Sequence, residues 1–187
     1  MRGGIDRAPV LPSLSFDTLA QDGPAPLAAG DRLALRAPRS NALVGEAEPA
    51  RVNWPAADAT VELDVQLGPR TDWFSAEALE RFESQPWTVT PESNRIGMRL
   101  RGAQPLTRAI THELPSEGTV LGAIQVPASG QPVLFLADHP LTGGYPVIAC
   151  VAPWHLDLAA QMPIGARLRF RVVAGFEPIE LTPPAPR

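Results

Sequence analysis

The sequence predicts a mainly β protein built around one barrel-like domain. Its 187 residues include 22 prolines and 15 glycines, a composition typical of many turns between short strands. Short runs of alternating apolar and polar residues recur along the chain. Two nearly all-apolar runs, residues 132–137 and 145–152, are typical of strands that are covered on both faces or line a closed barrel.

The clearest strand is VELDVQL, residues 61–67. Four apolar residues alternate there with three polar ones, the pattern of a half-buried strand, and Gly68 follows it. Ser75 can then cap a short helix, SAEALERFES, in which Ala78 and Phe82 lie four residues apart on one face. We expect this helix to act as a lid or a plug of the barrel.

The predicted domain spans residues 58–174 and contains about six strands with one or two short helices. After the first helix, its strands are expected in WTVT, IGMRLRG, GAIQVP, PVLFLA, YPVIACVA and ARLRFRVV. The second short helix is expected in HLDLAAQM, just before the last of these strands.

An internal echo predicts how the rest of the chain is organised. GDRLALR at 30–36 and GARLRFR at 165–171 share the pattern Gly-x-Arg-Leu-x-apolar-Arg. Because the second copy closes the predicted barrel, the first is expected to close a domain too, yet about 36 residues are too few for a comparable barrel. We therefore predict that residues 1–37 are the C-terminal remnant of a related domain. A linker at 38–57 and an extended tail at 175–187 complete the organisation.

Composition excludes several classes of function. All 16 basic residues are arginine, which excludes a Schiff-base lysine and a P-loop lysine. A net charge of -4 offers no positive field to a phosphate backbone, so no nucleic-acid partner is expected. No apolar stretch approaches the ~20 residues of a membrane span, and the first residues lack the apolar core of a signal peptide. We expect no membrane partner and a cytoplasmic location.

The single cysteine and the three histidines indicate no metal site. Cys150 lies inside an apolar run, where a buried and inert thiol is favoured over a nucleophile, and one cysteine allows no intrachain disulfide. His112, His139 and His155 are not at metal-ligand spacing with one another or with Cys150.

Three polar clusters lie between the predicted strands. The first, TPESNRIG, places Asn94 and Arg95 just before a strand. The guanidinium of Arg95 can form a bidentate pair with a carboxylate, carbamate or phosphate. The alternative is a turn whose arginine pairs with a surface acid, and the residues alone favour neither.

In the second cluster, PSEGTVLGAIQVPASGQP, Gln125 alternates with Ile124 and Val126. If those two residues belong to the core, Gln125 faces either solvent or a pocket. An amide side chain in a pocket suits a planar ligand because it carries both donors and an acceptor. Ser129-Gly130 is typical of a hairpin turn.

The third cluster, LADHPLTGGYPVIA, contains His139, Thr142, Gly143, Gly144 and the only tyrosine, Tyr145. Two successive glycines permit positive φ angles, and with them a nest of backbone amides that faces an anion. His139 can act as a general acid or base. The alternative is an ordinary polar hairpin whose histidine is a loop residue.

Together these stretches resemble a known family. The motifs Ser-Asn-Arg-x-Gly-x-Arg-Leu, Gly-x-Ile-Gln-Val-Pro and Thr-Gly-Gly-Tyr-Pro, with RGGID near the start, resemble the carboxyltransferase-like family that includes allophanate hydrolase subunit 2 and the C subunit of 5-oxoprolinase. The resemblance covers residues 2–173 and implies a cyclophilin-like β-barrel. Family members extend further at the N-terminus, which agrees with a missing front of the first domain. At 12–15 this chain has PSLS where the family has Gly-Ser-Arg-Ser, so no role is carried over to that segment.

The resemblance implies amide chemistry. The carboxyltransferase part of urea carboxylase passes a carboxyl group from biotin to urea, whereas the 5-oxoprolinase branch uses ATP to open a cyclic amide. Both need a site for a planar amide beside a carboxylate or carboxyphosphate.

The resemblance favours a subunit of an ATP-dependent 5-oxoprolinase, a hydrolase that converts 5-oxo-L-proline to glutamate. The implied partners are a homologous B subunit, similar to allophanate hydrolase subunit 1, and an A subunit of the lactam-hydrolase type. We expect this chain to bind no cofactor alone, to be inactive alone, and to depend on ATP that the assembled complex uses.

In this interpretation Arg95 anchors a carboxylate or a phosphorylated intermediate and His139 carries a proton. Gln125 and the double-glycine amides hold the amide oxygen. The expected substrate-binding residues are Asn94, Gln125, Thr142, Gly143, Gly144 and Tyr145.

Two alternatives stay open. The first is a biotin-dependent carboxyltransferase that acts on urea or a similar amide, with biotin on a carrier in another chain. The second is a non-catalytic regulator that binds a homologous partner subunit.

Overall fold

The computed structural model describes residues 3–17, 20–38, 45 and 54–177. The chain divides into two compact units, Met1–Ala50 and Arg51–Arg187. Most of the predicted linker, 38–57, and most of the predicted tail, 175–187, lie outside the described residues.

The first unit has little regular structure in its described residues. An isolated bridge pairs Ile5 with Leu35, and Arg36 Nη2 donates to the carbonyl of Arg7 at 2.7 Å. None of the unit's described residues is buried. The first copy of the echo, residues 30–36, therefore contains a bridge instead of the continuous strand that closes the second unit. That residues 1–37 are the remnant of a related domain stays a prediction.

Nine strands lie in the described part of the second unit. They are β1 (Thr60–Leu67), β2 (Trp87–Val89), β3 (Gly97–Arg101), β4 (Glu117–Gly118), β5 (Ala123–Gln125), β6 (Val133–Phe135), β7 (Thr142–Gly143), β8 (Val147–Val151) and β9 (Arg167–Ala174). Seven of them form a closed barrel in the order β1-β8-β5-β6-β3-β2-β9. Strand β9 closes the ring by pairing with β1 in parallel, while every other barrel pair is antiparallel. The predicted barrel is confirmed.

The sequence predicts about six strands and misses the sheet formed by β4 and β7. These two strands pair outside the barrel, with Glu117 opposite Gly143 and Gly118 opposite Thr142. Strands of two residues are too short to show any alternation of apolar and polar residues, so the sequence pattern could not predict them.

The barrel interior is filled by side chains from alternate positions of the strands. Leu63, Ile124, Leu134, Ile148 and Leu168 are all fully buried there. In β1 the apolar residues Leu63 and Val65 are fully buried, so one face of this strand lies in the core, as its alternating sequence predicted.

The predicted helices are both present. Helix α1 (Ala76–Ser84) follows a 3-10 helix, Thr71–Trp73, and is capped as expected, because Ser75 Oγ accepts a hydrogen bond from the Ala78 N–H at 3.2 Å. A second 3-10 helix, Pro153–His155, leads into helix α2 (Leu156–Ala160). Among the described residues, no helix combines the length and the apolar character that crossing a membrane requires.

A polar cluster ties the segment before α2 to the outside of the barrel. Asp64 lies between two core residues of β1 and faces outward, yet its side chain is only 10% exposed. Its carboxylate accepts hydrogen bonds from Trp154 Nε1 at 3.0 Å and from Arg171 Nε at 2.7 Å. Its backbone N–H donates to His155 Nδ1 at 2.8 Å.

These contacts make barrel stability depend on the charge of Asp64. The hydrogen bond from Trp154 lowers the pKa of the Asp64 carboxyl below its ordinary value, and Arg171 acts in the same direction while burial opposes both. A carboxyl whose pKa is lower in the folded protein stabilises the fold above its unfolded pKa of about 3.9. That stabilisation is lost as the pH falls through the folded value.

We expect Asp64→Asn to lower the urea midpoint of unfolding at neutral pH, because the two donors lose their carboxylate. The deficit should begin to shrink below about pH 4 and should disappear as the pH falls through the lowered pKa of Asp64, where wild type also loses the charge. Glu62→Gln is the matched control, since Glu62 also pairs with Arg171 at 2.9 Å but is 53% exposed. Midpoints that differ between wild type and Asp64→Asn by the same amount at every pH would contradict this account.

Candidate functional site

The candidate site centres on Gly143 in β7, which packs directly against Gln125 and Thr119. A Cβ atom at Gly143 would stand 3.2 Å from Gln125 Oε1 and 3.3 Å from Thr119 Cγ2. Gln125 and Thr119 belong to the second polar cluster of the sequence and Gly143 belongs to the third, so the two clusters meet at this point. Only glycine, which has no Cβ atom, allows so close an approach.

Gln125 lies opposite a bulge in the neighbouring strand β8. Ile124 pairs with Ala149 and Gln125 pairs with Val147, so β8 carries one extra residue, Ile148, at this point. Ile124 and Val126 are fully buried, so Gln125 points away from the barrel core, as the alternation predicts. Its Oε1 atom is nonetheless buried and has no hydrogen-bond partner among the described residues. An enclosed acceptor without a donor fits a binding site better than it fits the solvent-facing alternative.

His139 lies beside Thr119, and its Nδ1 atom makes the contacts that hold the ring. Nδ1 lies 2.8 Å from the carbonyl oxygen of Pro140 and 3.3 Å from Thr119 Oγ1. Because a carbonyl only accepts, this contact favours the tautomer in which Nδ1 carries the hydrogen and Nε2 keeps a free lone pair. The ring stacks on Phe135 with centroids 5.9 Å apart. In this tautomer Nε2 is able to accept a proton.

Asn94 and Arg95 are engaged in local structure. Asn94 Oδ1 accepts hydrogen bonds from the backbone N–H groups of Ile96 at 2.9 Å and Gly97 at 3.2 Å, which shapes the turn into β3. Arg95 Nε pairs with Asp138 Oδ2 at 2.8 Å, and both side chains are more than half exposed. Arg95 and Asp138 thus form the surface ion pair that we gave as the alternative to an anion site. The anchoring role of Arg95 stays a prediction.

The structure does not contain the amide nest expected at Thr142, Gly143 and Gly144. Neither glycine has a φ in the left-handed range, and the first two residues are strand β7. Thr142 and Gly143 therefore pair with strand β4 and do not form the turn with positive φ angles that we expected. Gly143 matters instead because its missing side chain leaves room for Gln125.

Arg108 is a candidate residue that the sequence analysis missed. The Tyr145 ring lies over its guanidinium, with 5.7 Å between Cζ and the ring centroid. Its Nη2 donates to the carbonyl of Val126 at 2.5 Å, and its Nε is buried without a partner among the described residues. The surrounding sequence LTRAI, residues 106–110, matches no known motif, and a single buried arginine cannot be recognised from the spacing of apolar residues.

A second ion pair holds the small sheet in place. Arg70 makes a two-point contact with Glu117, whose Oε2 lies 3.0 Å from Arg70 Nε. Its hydrogen bond to Glu117 raises the pKa of the Arg70 guanidinium. Because Glu117 lies opposite Gly143 in the sheet, the pair fixes the backbone on which the site depends.

Cys150, His112 and His155 have structural surroundings. Cys150 is half-buried, less enclosed than predicted, and burial raises the pKa of its thiol, which disfavours the thiolate. His112 packs edge-on against Trp73, with ring centroids 5.0 Å apart, and His155 contacts Asp64. Within the part of the chain that the structure describes, no three His, Cys, Asp or Glu side chains gather as ligands of a metal would.

Comparison with known proteins identifies similar chains. The family model described as "Carboxyltransferase domain, subdomain A and B" matches residues 1–172. The C subunit of the Escherichia coli 5-oxoprolinase is 34% identical over 171 residues, which cover 90% of this chain and 53% of that protein. This chain therefore spans about half the length of that relative.

Two further proteins are similar over most of the chain. The urea amidolyase of Saccharomyces cerevisiae is 31% identical over 191 residues, which cover 91% of this chain and 10% of that protein. The crystal structure of Kluyveromyces lactis urea carboxylase superposes with a TM-score of 0.68 at 28% identity, over 90% of this chain and 17% of that one. The resemblance inferred from the three motifs is thereby confirmed.

Proposed function

Because this chain belongs to the family of the carboxyltransferase domain, subdomains A and B, we propose that it is a subunit of an ATP-dependent 5-oxoprolinase. The observation that carries the proposal is the 34% identity to the C subunit of a 5-oxoprolinase over 90% of the chain. A homologous B subunit and an A subunit of the lactam-hydrolase type are the proposed partners. A cytoplasmic location belongs to the same proposal.

The geometry of the site suits the binding of a cyclic amide. Gln125 Oε1, a buried acceptor without a donor among the described residues, would accept the N–H of the lactam ring. Gly143 carries no side chain that would displace this oxygen from its position. The sequence analysis expected Gln125 to donate a hydrogen bond to the amide oxygen. In the present assignment Gln125 accepts one from the amide N–H, because its unpartnered atom is the oxygen Oε1.

His139 would move the proton that amide opening requires. Opening the ring breaks the C–N bond, so the nitrogen must gain a proton while water adds to the carbonyl carbon and loses one. With Nδ1 held by the Pro140 carbonyl, Nε2 is free to take the proton from water and pass it to the leaving nitrogen. ATP, used by the assembled complex, would drive ring opening by phosphorylating the amide oxygen, which makes the ring carbon reactive towards water; a second water would then release that phosphate and leave the free carboxylate.

A second candidate is a biotin-dependent carboxyltransferase that acts on urea or a similar amide. The TM-score of 0.68 to a urea carboxylase favours it, and urea also offers N–H donors to Gln125 Oε1. Biotin would then be carried by another chain.

The test combines the protein with its candidate partners, ATP and 5-oxo-L-proline and measures glutamate. We expect glutamate only when the whole complex is present, and about a hundredfold less with Gln125→Leu, which keeps the size but removes the acceptor. Turnover of urea with a biotin carboxylase and carrier, and none of 5-oxoproline, would favour the second candidate. A tight complex without either turnover would favour the regulatory alternative.

A further inference from the structure

We infer that Arg108, and not Arg95, binds the carboxylate of the ligand at this site. The identity of the ligand as 5-oxo-L-proline rests on the proposed function. The anion-binding role of Arg108 rests on the structure of its surroundings.

Arg108 is a half-buried cation without an acidic partner in the described part of the chain. Its only hydrogen bond there joins Nη2 to the carbonyl of Val126, and Nε is buried and unpartnered. Burial lowers the pKa of the guanidinium, since water no longer solvates its charge fully. Charges withdrawn from water are normally paired with an opposite charge, which indicates that this site is completed by an anion.

Three other arginines of the barrel unit differ from Arg108, because each of them already has an acidic partner. Arg95 pairs with Asp138, and Arg70 pairs with Glu117. Arg171 pairs with Asp64. A ligand carboxylate at any of these would compete with an acid that is already in place, whereas at Arg108 it would meet an unsatisfied donor.

Arg108 also lies next to the proposed amide acceptor. The first residue of the segment Gly143–Tyr145 lies where a Cβ atom would stand 3.2 Å from Gln125 Oε1, and its last residue covers the guanidinium of Arg108. In addition, the carbonyl that Arg108 binds belongs to Val126, the residue after Gln125. In the described part of the chain, the segment Gly143–Tyr145 therefore has an unpartnered donor, Arg108 Nε, at one end and an unpartnered acceptor, Gln125 Oε1, at the other.

The ligand that satisfies both atoms carries an amide N–H and a carboxylate a few bonds apart. In 5-oxo-L-proline the carboxylate is attached to the carbon next to the ring nitrogen, so both groups lie on one edge of the molecule. Tyr145 is 47% exposed, and rotation of its ring away from the guanidinium would admit the carboxylate. Specificity for amide acids over simple amides follows from this arrangement.

The test measures binding to the whole chain by calorimetry with three probes. They are 5-oxo-L-proline, 2-pyrrolidinone, which is the same ring without the carboxylate, and N-acetylglycine, an open-chain amide acid. Arg108→Gln should weaken both acids about tenfold or more, as expected for losing a charged hydrogen bond, and leave 2-pyrrolidinone unchanged. Arg101→Gln, at an exposed arginine that ends β3, is the matched control and should change none of the three by more than about twofold.

The outcomes separate this inference from the proposed function. Binding of N-acetylglycine that depends on Arg108, without binding of 5-oxo-L-proline, would support the inference and count against the 5-oxoprolinase. Acids that bind equally to wild type and Arg108→Gln, or that do not bind at all, would overturn the inference. If Arg108→Gln does not fold, Arg108→Lys replaces it: lysine keeps the charge but loses the Nε–H donor, so both acids should bind more weakly than to wild type, and unchanged binding would count against the inference.

Discussion

Phe82→Ala is expected to lower the free energy of unfolding of the barrel unit by about 3–5 kcal/mol, the usual cost of removing a buried aromatic side chain. Phe82 is fully buried and stacks on Phe170 of β9 with ring centroids 4.6 Å apart. Its loss removes the contact between α1 and the strand that closes the barrel. Urea denaturation followed by tryptophan fluorescence measures the change.

Glu83→Ala is the control for this substitution. Glu83 is the next residue of α1 and is exposed, so its replacement should change the free energy of unfolding by at most about 0.5 kcal/mol. An equal loss in the two variants would mean that the packing of Phe82 on Phe170 does not determine the contribution of α1.

The prediction of α1 from sequence succeeded because its signals are local. Ser75 caps the helix, and the spacing of Ala78 and Phe82 identifies its buried face. Strand β1 was equally predictable, because its alternating residues face the core and the outside in turn. Both signals depend only on residues a few positions apart, so no knowledge of the tertiary structure was needed.

The parts that the sequence could not predict are pairings between distant residues. Arg95 and Asp138 are 43 positions apart, and nothing in either cluster shows that they pair. The unpartnered state of Arg108 within the described chain is equally invisible, since it depends on which acids the fold brings near. Alternation placed Gln125 on the outer face of its strand correctly, but only the packed structure shows that its oxygen is enclosed by Gly143.

The dependence on Gly143 leads to the second large effect, on activity. Gly143→Val should reduce the kcat/KM of the reconstituted complex for 5-oxo-L-proline about a hundredfold, the scale expected when a binding group is displaced by about 1 Å. The Cβ atom alone would stand 3.2 Å from Gln125 Oε1, and the two further methyl groups of valine need space that Gln125 and Thr119 already occupy. Gln125 must then rotate away from the lactam N–H that we propose it binds.

Gly118→Val separates this effect from damage to the small sheet. Gly118 lies opposite Thr142 in the neighbouring strand β4, and a Cβ there would meet no atom within 4 Å. Both substitutions place valine, a good strand former, in a two-stranded sheet outside the barrel, so both variants should fold. If kcat/KM falls equally in the two, the sheet as a whole is needed and Gly143 has no special role. If it falls only in Gly143→Val while thermal unfolding is unchanged, the space beside Gln125 is what the substrate requires.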